Sequence, residues 1–340
     1  MIRARAPVRI DFAGGWTDVA LFAQDTPGAV INAAISIYSY ASIRPMDRAE
    51  SDGSRVRIYS ADFDQFVEAE DIKKLEYDGH VDLVKAAVRH LGIDRAAYIV
   101  TRSDAPAGSG LGTSAAMGVS LIGALSRFTA KNFLSYEVAE MASQIEREEL
   151  GILGGKQDHY ASALGGINFM EFHSERVRFA QIRVPSHTLF ELEKHLVLCY
   201  TGKSRLSGNI HEKVREAYLG QDPTARTAIE NLKSITRNMK EALLKGDLDS
   251  FARLLTENWT NQKALHPSVT NPQIEDLFRV AFEHGAAGGK ACGAGGGGCI
   301  VFLSKPDQEH HLRKALEAAG VRILDFVLDH HGLAVEATES

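Results

Sequence analysis

The segment Asp104-Ala105-Pro106-Ala107-Gly108-Ser109-Gly110-Leu111-Gly112-Thr113-Ser114-Ala115-Ala116 decides how this chain is read. Three glycines at alternate positions let the backbone turn sharply and come close to a ligand. Upstream, Ala97-Tyr98-Ile99-Val100-Thr101 reads as a buried strand. Downstream, Met117, Leu121, Leu125 and Phe128 recur at helical spacing. A strand, a glycine turn and a helix whose first N–H groups are unpaired at the positive end of its dipole together make a site for phosphate. Two familiar phosphate loops are excluded. No lysine follows the turn, as a Walker A loop requires, and Thr113 stands where the dinucleotide fingerprint needs its last glycine.

Around this segment, 340 residues suggest two domains with separate cores. A net charge of −6 without a basic run argues against a nucleic-acid partner. No apolar stretch approaches a membrane span, and Met1–Pro7 lacks the apolar core of a secretory signal. Cys199, Cys292 and Cys299 are sparse and odd in number, as expected of reduced core cysteines in a cytoplasmic protein. Metal-binding cysteine–histidine spacing is absent, and His211-Glu212-Lys213-Val214-Arg215 lacks the second histidine of a zinc-protease helix.

The first half reads as short strands, glycine turns and helices. One helix is predicted over 82–91 with Gly92 as its stop, another from Ser135 as N-cap to about Leu150. A glycine turn at 165–166 leads into a strand, and the polar stretch 173–188 is the predicted domain junction. The second half opens with a strand at 196–200. Three helices follow, ending near Gly246, beyond Leu255, and at Gly285. Strands at 299–303, 321–328 and 333–337, with a helix near 307–319, complete the tail. Mixed strands and helices in both halves give an α+β class.

Three further stretches carry chemistry. In Arg9-Ile10-Asp11-Phe12-Ala13-Gly14-Gly15-Trp16-Thr17-Asp18, either Asp18 caps a helix or Arg9 and Asp18 line a cleft. A carboxylate suits a polyol because it accepts from two hydroxyls at once. Glu146, Glu148 and Glu149 end the helix begun at Ser135, and helical phase does not choose among them; Glu149 lies nearest the middle of the apolar stripe. Gly154-Gly155-Lys156-Gln157-Asp158 follows. Near the end, Gly288-Gly289-Lys290-Ala291-Cys292-Gly293-Ala294-Gly295-Gly296-Gly297-Gly298 sets four consecutive glycines before an apolar strand, which makes sense where backbone approaches a ligand.

In this order, the stretches resemble the motifs of the GHMP kinases, the superfamily of galactokinases, homoserine kinases, mevalonate kinases and phosphomevalonate kinases. The resemblance implies a two-domain GHMP kinase fold. Residues 1–185 would form a ribosomal protein S5 domain 2-like unit and residues 186–340 a ferredoxin-like unit. It implies ATP and Mg2+, with Pro106, Gly108, Ser109, Gly110, Leu111, Gly112, Thr113 and Ser114 around the triphosphate. The Glu-Arg pair at 146–147 matches the family's pattern and selects Glu146, with Ser114, for magnesium. Asp158 would orient the acceptor hydroxyl and take its proton, and Arg9 would offset charge on the transferred group. Asp18 would bind sugar hydroxyls, with Trp16 stacked on the sugar or packed beside the turn. Lys156 would lower the pKa of Asp158 or touch phosphate.

Within the superfamily, Gly155-Lys156-Gln157-Asp158-x-Tyr160, Gly165-Gly166-x-Asn168-Phe169 and Tyr200-Thr201-Gly202-Lys203-Ser204-Arg205 resemble the D-glycero-D-manno-heptose 7-phosphate kinases. These act at the anomeric hydroxyl on the way to nucleotide-activated heptose. Lys203 and Arg205 are then the expected holders of a phosphate already on the substrate. Trp16 departs from the glycine usual there, and Gly15-Trp16-Thr17-Asp18 is similar to the fucokinases, which also act at the anomeric position. A sugar sensor that has lost catalysis is the expectation from another class.

Overall fold

The protein, described here by a computed structural model over residues 1–24, 26–173, 176–202 and 207–338, builds its first sheet around one very long strand. That sheet contains β1 (Ile2–Ala13), β2 (Gly28–Pro45), β3 (Val56–Ser60), β4 (Gln65–Ala69), β5 (Ala97–Ser103), β6 (Ile167–Phe172) and β7 (Val177–Gln181). The 18 residues of β2 contradict the expectation of short strands. β1 pairs along most of its length, β6 pairs the first part and β5 the last. Pairing with β1 shifts register between Pro7 and Val8 and between Asp11 and Ala13. Such bulges bend a strand and re-aim its side chains; here they flank Arg9 and Asp11.

Helices cover one side of this sheet. α3 (Thr113–Phe128) and α5 (Gln157–Leu164) pack on its strands, and α2 (Asp82–Leu91) and α4 (Ser135–Gln144) pack on α3, while α1 (Arg48–Ser51) is a single turn between β2 and β3. Ser135 begins α4 but does not cap it. Leu134 is the cap residue, and Glu137 reaches back to the Leu134 N–H at 2.7 Å. Nor does the helix stay regular to Leu150: Ile145–Glu149 is a π-helical turn.

The polar stretch 173–188 holds β7 and the start of α6 (Ser186–His195). Beyond it lie β8 (Leu196–Tyr200), α7 (Ser207–Leu219), α8 (Pro223–Lys245), α9 (Leu248–Ala264), α10 (Pro272–Glu283), β9 (Ala286–Ala291), β10 (Cys299–Ser304), α11 (Glu309–Ala318) and β11 (Arg322–Leu324). Their antiparallel sheet has the order β11-β8-β10-β9. The strand expected over 321–328 is shorter, because beyond Leu324 the chain leaves this sheet; Leu328 bridges Ile35 instead. The last strand, β12 (Ala334–Ala337), joins β1 at the edge of the first sheet. One core underlies the first sheet and continues into α8, α9 and β10. A second, between β8–β10 and the later helices, includes Trp16 from the Arg9–Asp18 motif and Phe22 just after it. No described helix is long and apolar enough to cross a membrane.

Candidate active site

The glycine segment leaves β5 and enters α3 through Gly112, whose φ of +73° is strained for any residue with a side chain. No side chain caps α3, and its first backbone bond runs from Ala116 N–H to the Gly112 carbonyl. The N–H groups of Thr113, Ser114 and Ala115 therefore remain for a ligand at the positive helix end. These residues, with Gly108, Ser109 and Gly110, line a cleft. Pro106 and Leu111, also expected around the triphosphate, do not line it; the Leu111 side chain is wholly buried and its carbonyl accepts from the Arg9 N–H at 3.0 Å.

The second glycine-rich stretch lies directly on the first. Cys299 N–H donates to the Ser109 carbonyl at 2.7 Å. A Cβ on Gly110 would stand 2.7 Å from the Cys292 carbonyl, and one on Gly298 would stand 2.6 Å from that of Ser109. Both glycines have positive φ, so geometry and space each demand them. Gly293 and Ala294 reach the cleft.

β1 supplies the charged wall. Arg9, 4 % exposed, donates from Nε to Asp158 Oδ1 at 2.7 Å and from a terminal nitrogen to the Gly110 carbonyl at 2.5 Å. Asp158 stands in the first turn of α5, and a Cβ on Gly112 would lie 3.0 Å from its carboxylate. Asp158, 46 positions beyond Gly112 in the chain, thus lies against the phosphate turn. Asp18 does cap a helix, though not the one after it. Its Oδ2 accepts from the Gln157 N–H, the first of α5, at 3.1 Å. Burial, and then the charge of Asp158, push its carboxyl up to about 7.

The three glutamates differ in place: within the π-helical turn Glu146, in helical phase with buried Ala139, Ala142 and Ser143, is itself buried and lines the cleft. Its Oε2 lies 2.6 Å from His159 Nε2. Burial alone would raise its pKa, but His159 and the Ser114 hydroxyl outweigh burial and hold it below the ordinary carboxylate range. Glu149 instead meets Tyr77 and His90, and Glu148 is exposed beside Arg147. Ser114 and Glu146 thus form a hydroxyl–carboxylate pair suited to a hard cation that keeps most of its ligands as water or phosphate.

Lys156 does not contact Asp158 or the cleft. Its ammonium pairs with Glu140 at 2.5 Å, and Glu140 also accepts from Tyr160. Trp16 lines the cleft with a φ of +82°, between Phe22 and His211; the His211 ring lies 4.5 Å from the indole. That ring covers indole surface that sequence reading offered to a sugar. Lys203 and Arg205 lie outside the described residues. Sequence reading missed His159 and His211 in the cleft, and the Asp11–Lys290 pair beside Arg9. His211 was examined only as a metal ligand; its place on the inner face of α7 carries no local signal.

Residues 81–166 match the model of the GHMP kinases N terminal domain, and residues 239–322 that of the GHMP kinases C terminal domain. The chain is 33 % identical over 98 % of both lengths to D-glycero-alpha-D-manno-heptose 7-phosphate kinase of Campylobacter jejuni. It is 26 % identical to the L-fucokinase/L-fucose-1-P guanylyltransferase of Bacteroides fragilis, over 93 % of this chain and 36 % of that one. The crystal structure of a D-glycero-D-manno-heptose 1-phosphate kinase from Bacteroides thetaiotaomicron superposes with a TM-score of 0.81 at 30 % identity, each chain fully covered.

Proposed function

Since this chain belongs to the GHMP kinase family, we propose that it moves the terminal phosphoryl group of ATP to the anomeric hydroxyl of a sugar, foremost D-glycero-D-manno-heptose 7-phosphate. The observation that carries this reading is the meeting of Asp158, Arg9 and the N-terminus of α3 in one cleft, with Asp18 beside them. The similarity to the Campylobacter enzyme supports the heptose in particular.

The reaction needs aligned phosphates, relief of charge and an oriented acceptor. The free N–H groups of α3 and the Ser109–Gly112 backbone cradle the triphosphate. Ser114 and Glu146 would hold magnesium, which would neutralise phosphate charge. Asp158 has one oxygen held by Arg9, and its other oxygen receives the anomeric hydroxyl. As the sugar oxygen bonds to the terminal phosphorus and the bond to ADP breaks, the hydroxyl proton passes to Asp158. Arg9 lies where charge on the transferred group is offset. Asp18, Trp16 and His211 face the sugar. We assign phosphate binding to residues 1–185 and part of the sugar wall to residues 186–340, with the enzyme working in the cytoplasm.

The test is incubation with ATP, magnesium and a panel of heptose 7-phosphate, fucose, hexoses and uronic acids, followed by phosphorus NMR. Consumption of the heptose with a new anomeric phosphate is expected. Fucose as the preferred acceptor would favour the second reading, which rests on Gly15-Trp16-Thr17-Asp18. Binding of sugar and nucleotide without turnover would reduce the protein to a sensor.

A further inference from the structure

Lys290 is completely buried, 279 positions from its partner Asp11, which is 1 % exposed. Its ammonium donates to the Asp11 carboxylate at 2.7 Å and to the Asp11 carbonyl at 2.8 Å. A buried ion pair is a poor source of stability, because desolvation offsets the attraction. Its place suggests another role. Asp11 follows Arg9 by two positions on β1, and both side chains line the cleft. The second oxygen of Asp11 is buried without a hydrogen-bond partner among the described residues. Arg9 therefore has two carboxylates in its neighbourhood, and only one is Asp158. Lys290 neutralises the other.

We propose that Lys290 is a positioning residue: by occupying Asp11, it keeps the Arg9 guanidinium on Asp158 and the Gly110 carbonyl instead of letting it turn back to β1. This rests on the kinase reading, in which that placement of Arg9 matters. The strand that delivers Lys290 also continues into the glycine loop packed on Gly110, so one element sets both the orientation of Arg9 and the loop above it.

The experiment compares wild type, K290Q and D11N/K290Q. K290Q keeps a donor for Asp11 and removes the neutralising charge; the double variant removes the competing carboxylate as well. Assays run well below each Tm, with folding checked by near-UV circular dichroism. The expected result for folded K290Q is a kcat about 100-fold lower, the size of loss that a small misplacement of a reacting group produces. ATP affinity should stay within about 3-fold, and the double variant should return to within about 5-fold of wild-type kcat. The Arg9 Nε–H resonance in labelled protein should move in K290Q and return in the double variant, with R9K used to assign it.

A folded K290Q with wild-type kcat and an unmoved Arg9 resonance would overturn the proposal. So would a double variant whose Arg9 resonance stays displaced. If K290Q does not fold, K290M replaces it. Failure of both to fold, beside a folded and fully active double variant, would assign the pair to stability alone and overturn the proposal. If wild type turns over none of the sugars while the resonance follows the expected pattern, the kinase reading fails and the positioning role stands.

Discussion

The two walls of the cleft treat buried charge in opposite ways. On the wall built by β1, α5 and the π-helical turn, with Lys290 of β9 behind it, each buried charge has a close polar partner: Arg9 has Asp158, Lys290 has Asp11, and Glu146 lies against the His159 ring. On the wall built by the turn at Gly14–Asp18 and α7, Asp18 accepts from the Gln157 N–H and has a carboxyl pushed up to about 7 by burial and Asp158. The Trp16 indole N–H is buried without a partner among the described residues, and burial holds His211 below its ordinary pKa. The difference teaches which wall is finished in the free protein. The first is preorganised, so its dipoles need not rearrange during the reaction. The second keeps polar groups in an unfavourable state that a polyol would relieve, since hydroxyls both donate and accept.

The largest expected effect strikes the first wall. Asp158→Asn should lower kcat by on the order of 10³-fold while ATP affinity changes by less than about 3-fold. A coupled assay of ADP release and calorimetric titration of nucleotide measure the two; equal losses in both would mean that Asp158 serves binding and not the transfer. The π-helical turn gives the next contrast. Glu146→Gln should cost about 100-fold in turnover and raise the magnesium needed for half-maximal rate, whereas Glu149→Gln, one turn away, should leave both within about 2-fold. Identical behaviour of the two variants would remove the turn's functional meaning.

The second wall should respond with the opposite sign in stability. Asp18 has a folded pKa above that of an unfolded aspartate, so the folded state holds the extra proton between about pH 4 and pH 7. Its contribution to stability is therefore favourable at low pH and lost as pH rises through about 7. Asp18→Asn should abolish sugar use yet stabilise the protein at pH 8 by roughly 2 kcal/mol, and the gain should vanish towards pH 4. Thermal melts across that range measure it; a pH-independent loss of stability would show that Asp18 is satisfied in the free protein. The smallest effect is expected at α7. His211→Ala should raise the KM for the sugar about 10-fold, equivalent to about 1.4 kcal/mol, with nucleotide affinity unchanged. A change in nucleotide affinity instead would move His211 to the other wall.

Much of this was legible in the chain because its causes are local. Gly92 and Gly246 stop their helices through backbone that other residues adopt at a cost, and the apolar periodicity of α3, α8 and α10 needs no partner to be seen. Residues 28–45 were not read as a strand: their first part is buried on both faces and does not alternate, so only pairing with β1, β5 and β6 defines them. The start of α4 was read one position late because Glu137 bonds the Leu134 N–H, a contact that assigns the cap to a residue without a polar side chain. Lys156 was read toward Asp158 because the two are close in sequence, but Glu140 lies on the side to which α5 turns it.

By itself the sequence determined the kind of protein: the order and chemistry of its glycine turns, the helix that offers free N–H groups, and the aspartates at 18 and 158. These are properties of short segments, set by backbone freedom and by which side chains can carry charge. Tertiary structure alone decided which of three neighbouring glutamates turns inward, which carboxylate Arg9 holds, that Lys290 reaches Asp11, and that His211 belongs to the cleft. Those choices depend on strand bulges and on contacts across as many as 279 positions, where burial makes each charge seek the nearest partner in space and not in sequence.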